Sequence, residues 1–169
     1  GNDNCIFQFQ LLKGKLIAKD TFRLGDPWPN RISVTGISVN NSKGVLYAVT
    51  QMDKCLYIID IKSHRILKKV PLGAEGYTCQ LSHDKSKLYI SLWGGEKILI
   101  YGIQSNEIIH SIPVGSHPND FCQRRDGKLL YVANAEDNTV SVVNLQTERV
   151  IETLDAALFP GSLTGSTTN

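Results

Sequence analysis

The chain has 169 residues, 41% hydrophobic and 20% charged, the content of one ordinary globular domain rather than a disordered or fibrous protein. Eighteen Lys and Arg against sixteen Asp and Glu leave a charge of +2, and no basic run is dense enough to neutralise several phosphates, so nucleic acid is not an expected partner. No apolar stretch approaches the roughly 20 residues that cross a bilayer, and Gly1-Asn2-Asp3-Asn4 has neither the charged start nor the apolar centre of a signal peptide.

In chain order, residues 5–24 supply two strand-like runs, from Cys5 to Leu12 and from Leu16 to Leu24. From residue 32 onward the chain repeats itself. Tyr47, Tyr89 and Tyr131 stand 42 residues apart, as do Leu56, Ile98 and Val140, and Pro71-Leu72-Gly73 returns as Pro113-Val114-Gly115. Three full copies result, over 32–73, 74–115 and 116–157. Each reads as four short strands of Val, Ile, Leu and Tyr, separated by turn formers such as His83-Asp84-Lys85-Ser86 and Trp93-Gly94-Gly95-Glu96. The first strands of the copies centre near Ile37, Cys79 and Phe121. The 5–24 segment aligns with the last two strands of a copy, and 158–169 is a turn-rich lead into a further one.

The third strand of each copy predicts the packing. In Leu56-Tyr57-Ile58-Ile59 and Ile98-Leu99-Ile100-Tyr101 apolar residues occupy both parities, so both faces of the sheet must be covered. A four-stranded antiparallel unit of this period, apolar on both faces, is what a β-propeller blade requires. The expected fold is all-β, with about three and a half blades in the chain. A parallel β-helix is the second architecture considered, but its coils are much shorter than this period.

Tyr131-Val132-Ala133-Asn134, followed by Asp137 to Asn144 and Arg149-Val150-Ile151, resembles the YVTN repeat of bacterial surface-layer-like propellers, with echoes at Tyr47-Ala48-Val49-Thr50 and Tyr89-Ile90-Ser91-Leu92. The resemblance implies a ring of seven blades and an exported protein, periplasmic or at the cell surface. The run from Leu72 to Cys79 with Leu92-Trp93-Gly94-Gly95 is similar to exported propellers that can precede an alkaline-phosphatase-like phosphoesterase domain. No residue here matches the metal-binding or nucleophile motifs of such a domain.

In a propeller the loops leading into each first strand, and those joining second to third strands, converge on one mouth of the central channel. The residues expected to bind a small molecule, peptide or protein there are Trp28, Glu75, Tyr77, Trp93, His117 and Asp120. Glu136 and Asp137 read as turn residues of the same mouth. The opposite mouth, with the short turns at Asn40-Asn41-Ser42, His83-Asp84-Lys85 and Arg125-Asp126-Gly127, is expected to be the structural side. No serine lies in a nucleophile elbow, no cofactor fingerprint is present, and the four histidines fall at unrelated places in the repeat, so neither a cofactor nor a metal is predicted. Two functions stay open. One is a non-catalytic binding scaffold. The other is the propeller portion of a multidomain phosphoesterase or oxidoreductase whose chemistry lies elsewhere. The remaining blades of the ring, and self-association through an exposed blade edge, are the other expected partners. Cys5, Cys55, Cys79 and Cys122 form no C-x-x-C pair and read as buried free thiols.

Overall fold

The computed structural model describes residues 4–26 and 31–156. Strands β1 (Cys5–Leu12) and β2 (Lys15–Arg23) form a two-stranded antiparallel sheet. Three four-stranded antiparallel sheets follow, each a simple meander. The first holds β3 (Val34–Asn40), β4 (Val45–Thr50), β5 (Cys55–Asp60) and β6 (Ile66–Pro71). The second holds β7 (Gly76–Leu81), β8 (Lys87–Leu92), β9 (Lys97–Gly102) and β10 (Glu107–Pro113). The third holds β11 (Pro118–Gln123), β12 (Leu129–Asn134), β13 (Thr139–Asn144) and β14 (Arg149–Asp155). The described residues contain no helix. These are blades of a partial β-propeller.

The core lies between sheets, and strand alternation deals residues to both sides. On β4, Leu46 and Ala48 join Phe22, Leu24, Tyr57 and Ile59 against the two-stranded sheet, whereas Tyr47 and Val49 join Leu88, Ile90, Leu99 and Tyr101 of the second blade. On β9, Ile98 and Ile100 turn the other way, to Leu130, Val132 and Val143 of the third blade. Each such Leu or Ile, buried completely, contributes about 1.5–3 kcal/mol relative to exposure. A polar residue on either parity of β5 or β9 would lose that contribution from one interface or the next.

Irregularities repeat with the same period. The first strand of each blade carries one extra residue against its neighbour, at Thr35, within Gly76–Cys79 and at Asn119. The outer strands carry another at Leu67, Ile109 and Ile151. A bulge raises local twist, which these blades need between a crowded inner edge and a splayed outer one. Left-handed backbone recurs too, at Lys54, Glu96 and Asn138 and at His64, Asn106 and Glu148. Asn106, Asn138 and His64 are types that tolerate this region; Lys54, Glu96 and Glu148 are held there by the tightness of the hairpins.

Gly36 sets the distance between the first two blades. A Cβ there would lie 2.6 Å from Thr78 Cα and 2.9 Å from the Tyr77 carbonyl oxygen, both backbone atoms of β7. Beside it, Thr35 Oγ1 donates to the Gly76 carbonyl at 2.9 Å, tying the strands across the blade boundary. Asn4 secures the other boundary: its Nδ2 donates to the Asp26 carbonyl at 2.9 Å and its Oδ1 accepts from Ile32 N–H at 2.8 Å.

The cysteines divide. Cys55 and Cys79 are buried, Cys5 is half-buried, and Cys122 is exposed, which corrects the expectation of four buried thiols. On β11 the inward position belongs to Phe121, and Cys122, the next residue, must face the opposite side.

Candidate functional site

The site is assembled by loops at one end of the blades. The connection Leu72–Glu75 leads into β7, and Val114–His117 leads into β11; the hairpin loops 93–96 and 135–138 stand beside them. Backbone bonds weld each pair: Trp93 N–H donates to the Glu75 carbonyl at 2.8 Å, Val114 N–H to Glu96 at 3.0 Å, and Ala135 N–H to His117 at 3.0 Å. The loops are therefore rigid continuations of the sheets.

Trp93 and His117, from neighbouring blades, pack ring to ring with centroids 4.2 Å apart and planes tilted by 48°. His117 has left-handed backbone, φ +49°, as does Ser33 two repeats earlier, a region that histidine adopts more readily than most residues. Its Nδ1 meets the Glu136 carboxylate. The same carboxylate accepts Ser116 Oγ–H at 2.8 Å, and Asp137 Oδ2 accepts Ser116 N–H at 2.7 Å. Gly115 allows this closure: a Cβ there would sit 2.5 Å from Asp137 Oδ2 and 2.7 Å from Asn134 Cγ. Asn134, buried beneath, donates from Nδ2 to Thr139 Oγ1 and Ser141 Oγ at 3.0 and 2.9 Å. A carboxylate on Nδ1 leaves Nε2 as the ring atom available for proton exchange or ligand bonding.

Glu75 behaves differently from His117, its counterpart 42 residues on. Its carboxylate pairs with Lys54 Nζ at 2.7 Å, which holds its pKa below the ordinary range. In the next blade this ion pair has no counterpart: Glu96 stands where Lys54 stood and His117 where Glu75 stood, and His117 meets Glu136 instead. Below Lys54, Tyr57 donates to Asp53 Oδ2 at 2.5 Å, and Lys69 Nζ approaches the same oxygen at 3.0 Å. Burial, then that bond, pushes the Tyr57 hydroxyl up to about 12. This network braces the first blade.

Of the residues expected at the mouth, the structure brings Trp93 and His117 into contact and sets Glu75 against the Trp93 loop. Tyr77 is half-buried on β7, and Asp120 is exposed on β11 with its Oδ1 accepting its neighbour's N–H, Phe121, at 2.8 Å. Neither joins the Trp93 and His117 pair. Trp28 lies outside the described residues. Ser116 was missed, and Glu136 and Asp137 are latches between loops as well as turn residues. Their partners sit about twenty positions earlier, and no spacing rule links them. No group of three or more His, Cys, Asp or Glu side chains among the described residues could hold a metal ion.

A family model described as "Lactonase, 7-bladed beta-propeller" matches residues 73–156. No curated protein matches the chain. Among solved structures, a chain of the hydrazine synthase of Kuenenia stuttgartiensis is similar, with a TM-score of 0.67 at 17% identity over 75% of this chain. The match spans 38% of that longer chain. At this identity the likeness concerns fold alone. Sheet order, the interleaved cores and both comparisons agree that the chain is part of a β-propeller.

Proposed function

We propose that this chain is the ligand-binding part of a propeller, holding a small molecule or peptide at the loop end where Trp93 meets His117. The observation that carries this reading is the Trp93, His117 and Glu136 arrangement: an aromatic face beside a histidine with one nitrogen committed to a carboxylate, where two blades meet. Structural turns have no need of such a set. Around His117, Glu96, Glu136 and Asp137 supply carboxylates, which favours a ligand with a positive or hydrogen-bond-donating group beside an apolar face. The YVTN resemblance supports an exported location for such a scaffold.

Trp93→Ala and His117→Ala should each abolish ligand binding with the melting temperature nearly unchanged, read by calorimetric titration and thermal melts of the complete protein. Normal binding in both variants, or unfolding of both, refutes the assignment. A second reading is favoured by one observation, that the stretch matching a lactonase description contains His117 and Glu136. Here His117 Nε2 takes a proton from water as it attacks a lactone carbonyl. Hydrolysis of a simple lactone that disappears in His117→Gln selects this reading over pure binding.

A further inference from the structure

The β1–β2 hairpin is longer than its counterparts in the three blades. Its first four rungs run from Cys5 with Arg23 to Gln8 with Asp20, and one extra residue, Lys19, follows the fourth. The extra residues of the blades' outer strand pairs, Leu67, Ile109 and Ile151, also follow the fourth rung. All four hairpins therefore align rung for rung. Beyond the fifth rung each blade closes with residues 60–65, 102–107 or 144–149, a single rung and a four-residue turn. In the first hairpin residues 10–17 form three rungs and a two-residue turn at Lys13 and Gly14, so the paired strands run two rungs further.

The alignment separates two sets of exposed apolar residues on this hairpin. Phe7, Phe9 and Leu11 match Tyr57, Ile59 and Ile61, which pack toward the preceding sheet, as Ile103 and Leu145 do in the later blades. Those three stand at blade-stacking positions. Leu12, Leu16 and Ile17 do not, because the matching turn residues are Lys62, His64 and Arg65 in the first blade, Gln104, Asn106 and Glu107 in the second, and Gln146, Glu148 and Arg149 in the third. Every one of these is polar. Leu12, Leu16 and Ile17 are 50%, 71% and 47% exposed. Interleaved with them are Lys13, Lys15 and Lys19, all exposed and without a carboxylate partner among the described residues. No acidic residue occurs from residue 4 to residue 19, and the first one after it, Asp20, is engaged by His64 Nε2 at 3.0 Å.

We infer that this hairpin tip docks on an anionic lipid surface, with Leu12, Leu16 and Ile17 entering the headgroup layer and Lys13, Lys15 and Lys19 meeting lipid phosphates. Apolar side chains interleaved with lysines, whose own stems are apolar, are the chemistry of an interfacial anchor. A protein partner fits less well, since a standard interface takes roughly 20–30 residues a side and a two-stranded tip offers only a narrow wedge. A second copy meeting tip to tip would bring two sets of lysines together with no acid to offset them. The wedge has a firm base, because Phe22 of β2 is buried in the core shared with the first blade.

The test is co-sedimentation of the complete protein with vesicles of phosphatidylcholine alone and of phosphatidylcholine mixed with phosphatidylglycerol, at low and high salt. Binding to the anionic vesicles and not the neutral ones, weakened by salt, is expected. Lys13→Gln, Lys15→Gln and Lys19→Gln together should weaken it by about a hundredfold, at about fivefold per charge. Leu16→Ser with Ile17→Ser should weaken it while leaving the salt dependence in place. Thermal melts check that these variants fold. Insertion is read separately, against the parent's own tryptophans as baseline: Leu16→Trp should be quenched by brominated lipid, whereas Thr21→Trp, at the blade end of the same hairpin, should not. That pair decides the matter if a lysine or serine variant unfolds. No binding to anionic vesicles, equal binding to neutral ones, unchanged affinity in the lysine variant, equal quenching at both positions, or a dimer in light scattering that Leu16→Ser abolishes overturns the proposal.

Discussion

Gly36→Ala is the sharpest test of how these blades are held together. The added Cβ would meet Thr78 Cα at 2.6 Å, the Tyr77 carbonyl oxygen at 2.9 Å and Cys79 N at 3.0 Å. Ordinary carbon contacts lie at about 3.5–4.0 Å, so the shortfall is about 1 Å. All three atoms are backbone of β7, and no side chain can rotate away. The first two blades must separate, loosening the cluster of Tyr47, Val49, Leu88 and Ile90 between them. Overpacking of this kind costs about 1–3 kcal/mol. Alanine recovers about 0.5–1 kcal/mol of that through lower chain entropy, since Gly36 does not need positive φ. At the middle of these ranges a net loss of about 1 kcal/mol remains, and for a chain of this length it lowers the melting temperature by about 2–4 °C. Thermal and urea unfolding followed by circular dichroism measure it. Gly25→Ala is the control, because its Cβ would meet only the tip of the Ile32 side chain, at 3.0 Å. An unchanged or raised melting temperature for Gly36→Ala, with Gly25→Ala alike, would refute backbone contact as the spacing device.

Two further outcomes follow from local geometry. The β1–β2 hairpin turns on Lys13 and Gly14, both at positive φ, between the paired residues Leu12 and Lys15. Lys13→Asn supplies the Asn-Gly pair that such a two-residue turn prefers and should stabilise by about 0.5–1 kcal/mol, read as a higher urea midpoint. The Asp84 carboxyl is drawn down to about 2, chiefly by the Ser82 hydroxyl and then by Ser86. Its folded pKa lies below its unfolded one, so its contribution is present above about pH 4 and is lost as the pH falls toward about 2. Asp84→Asn should be less stable than the parent at pH 5, with the gap closing near pH 2 in melts across that range. A gap independent of pH would mean that the bonds act through geometry alone.

The site was legible by location more than by composition. Trp93 and His117 could be placed at one mouth because they occupy loop positions of a regular repeat, but their ring contact depends on how far apart two blades stand. That distance is set by the bulk of the intervening core, where Ile98 and Ile100 meet Leu130, Val132 and Val143. Ser116 carried no motif, and the link from its N–H to Asp137 exists only because Gly115 allows the loop to fold under.

The sequence by itself determined the strand order, the 42-residue phase and the two-sided burial of β5 and β9, because strand periodicity and turn chemistry are local and each copy repeats the same local choices. Only tertiary structure decided which residues meet between copies. Contacts across a blade boundary join positions about 20 or 40 residues apart, through twist and bulges that accumulate from strand to strand. That is why the ion pair of Lys54 with Glu75 has no counterpart at Glu96 and His117, where His117 meets Glu136 instead, and the fold is undisturbed. Loop side chains are free to differ where the sheets beneath them are not.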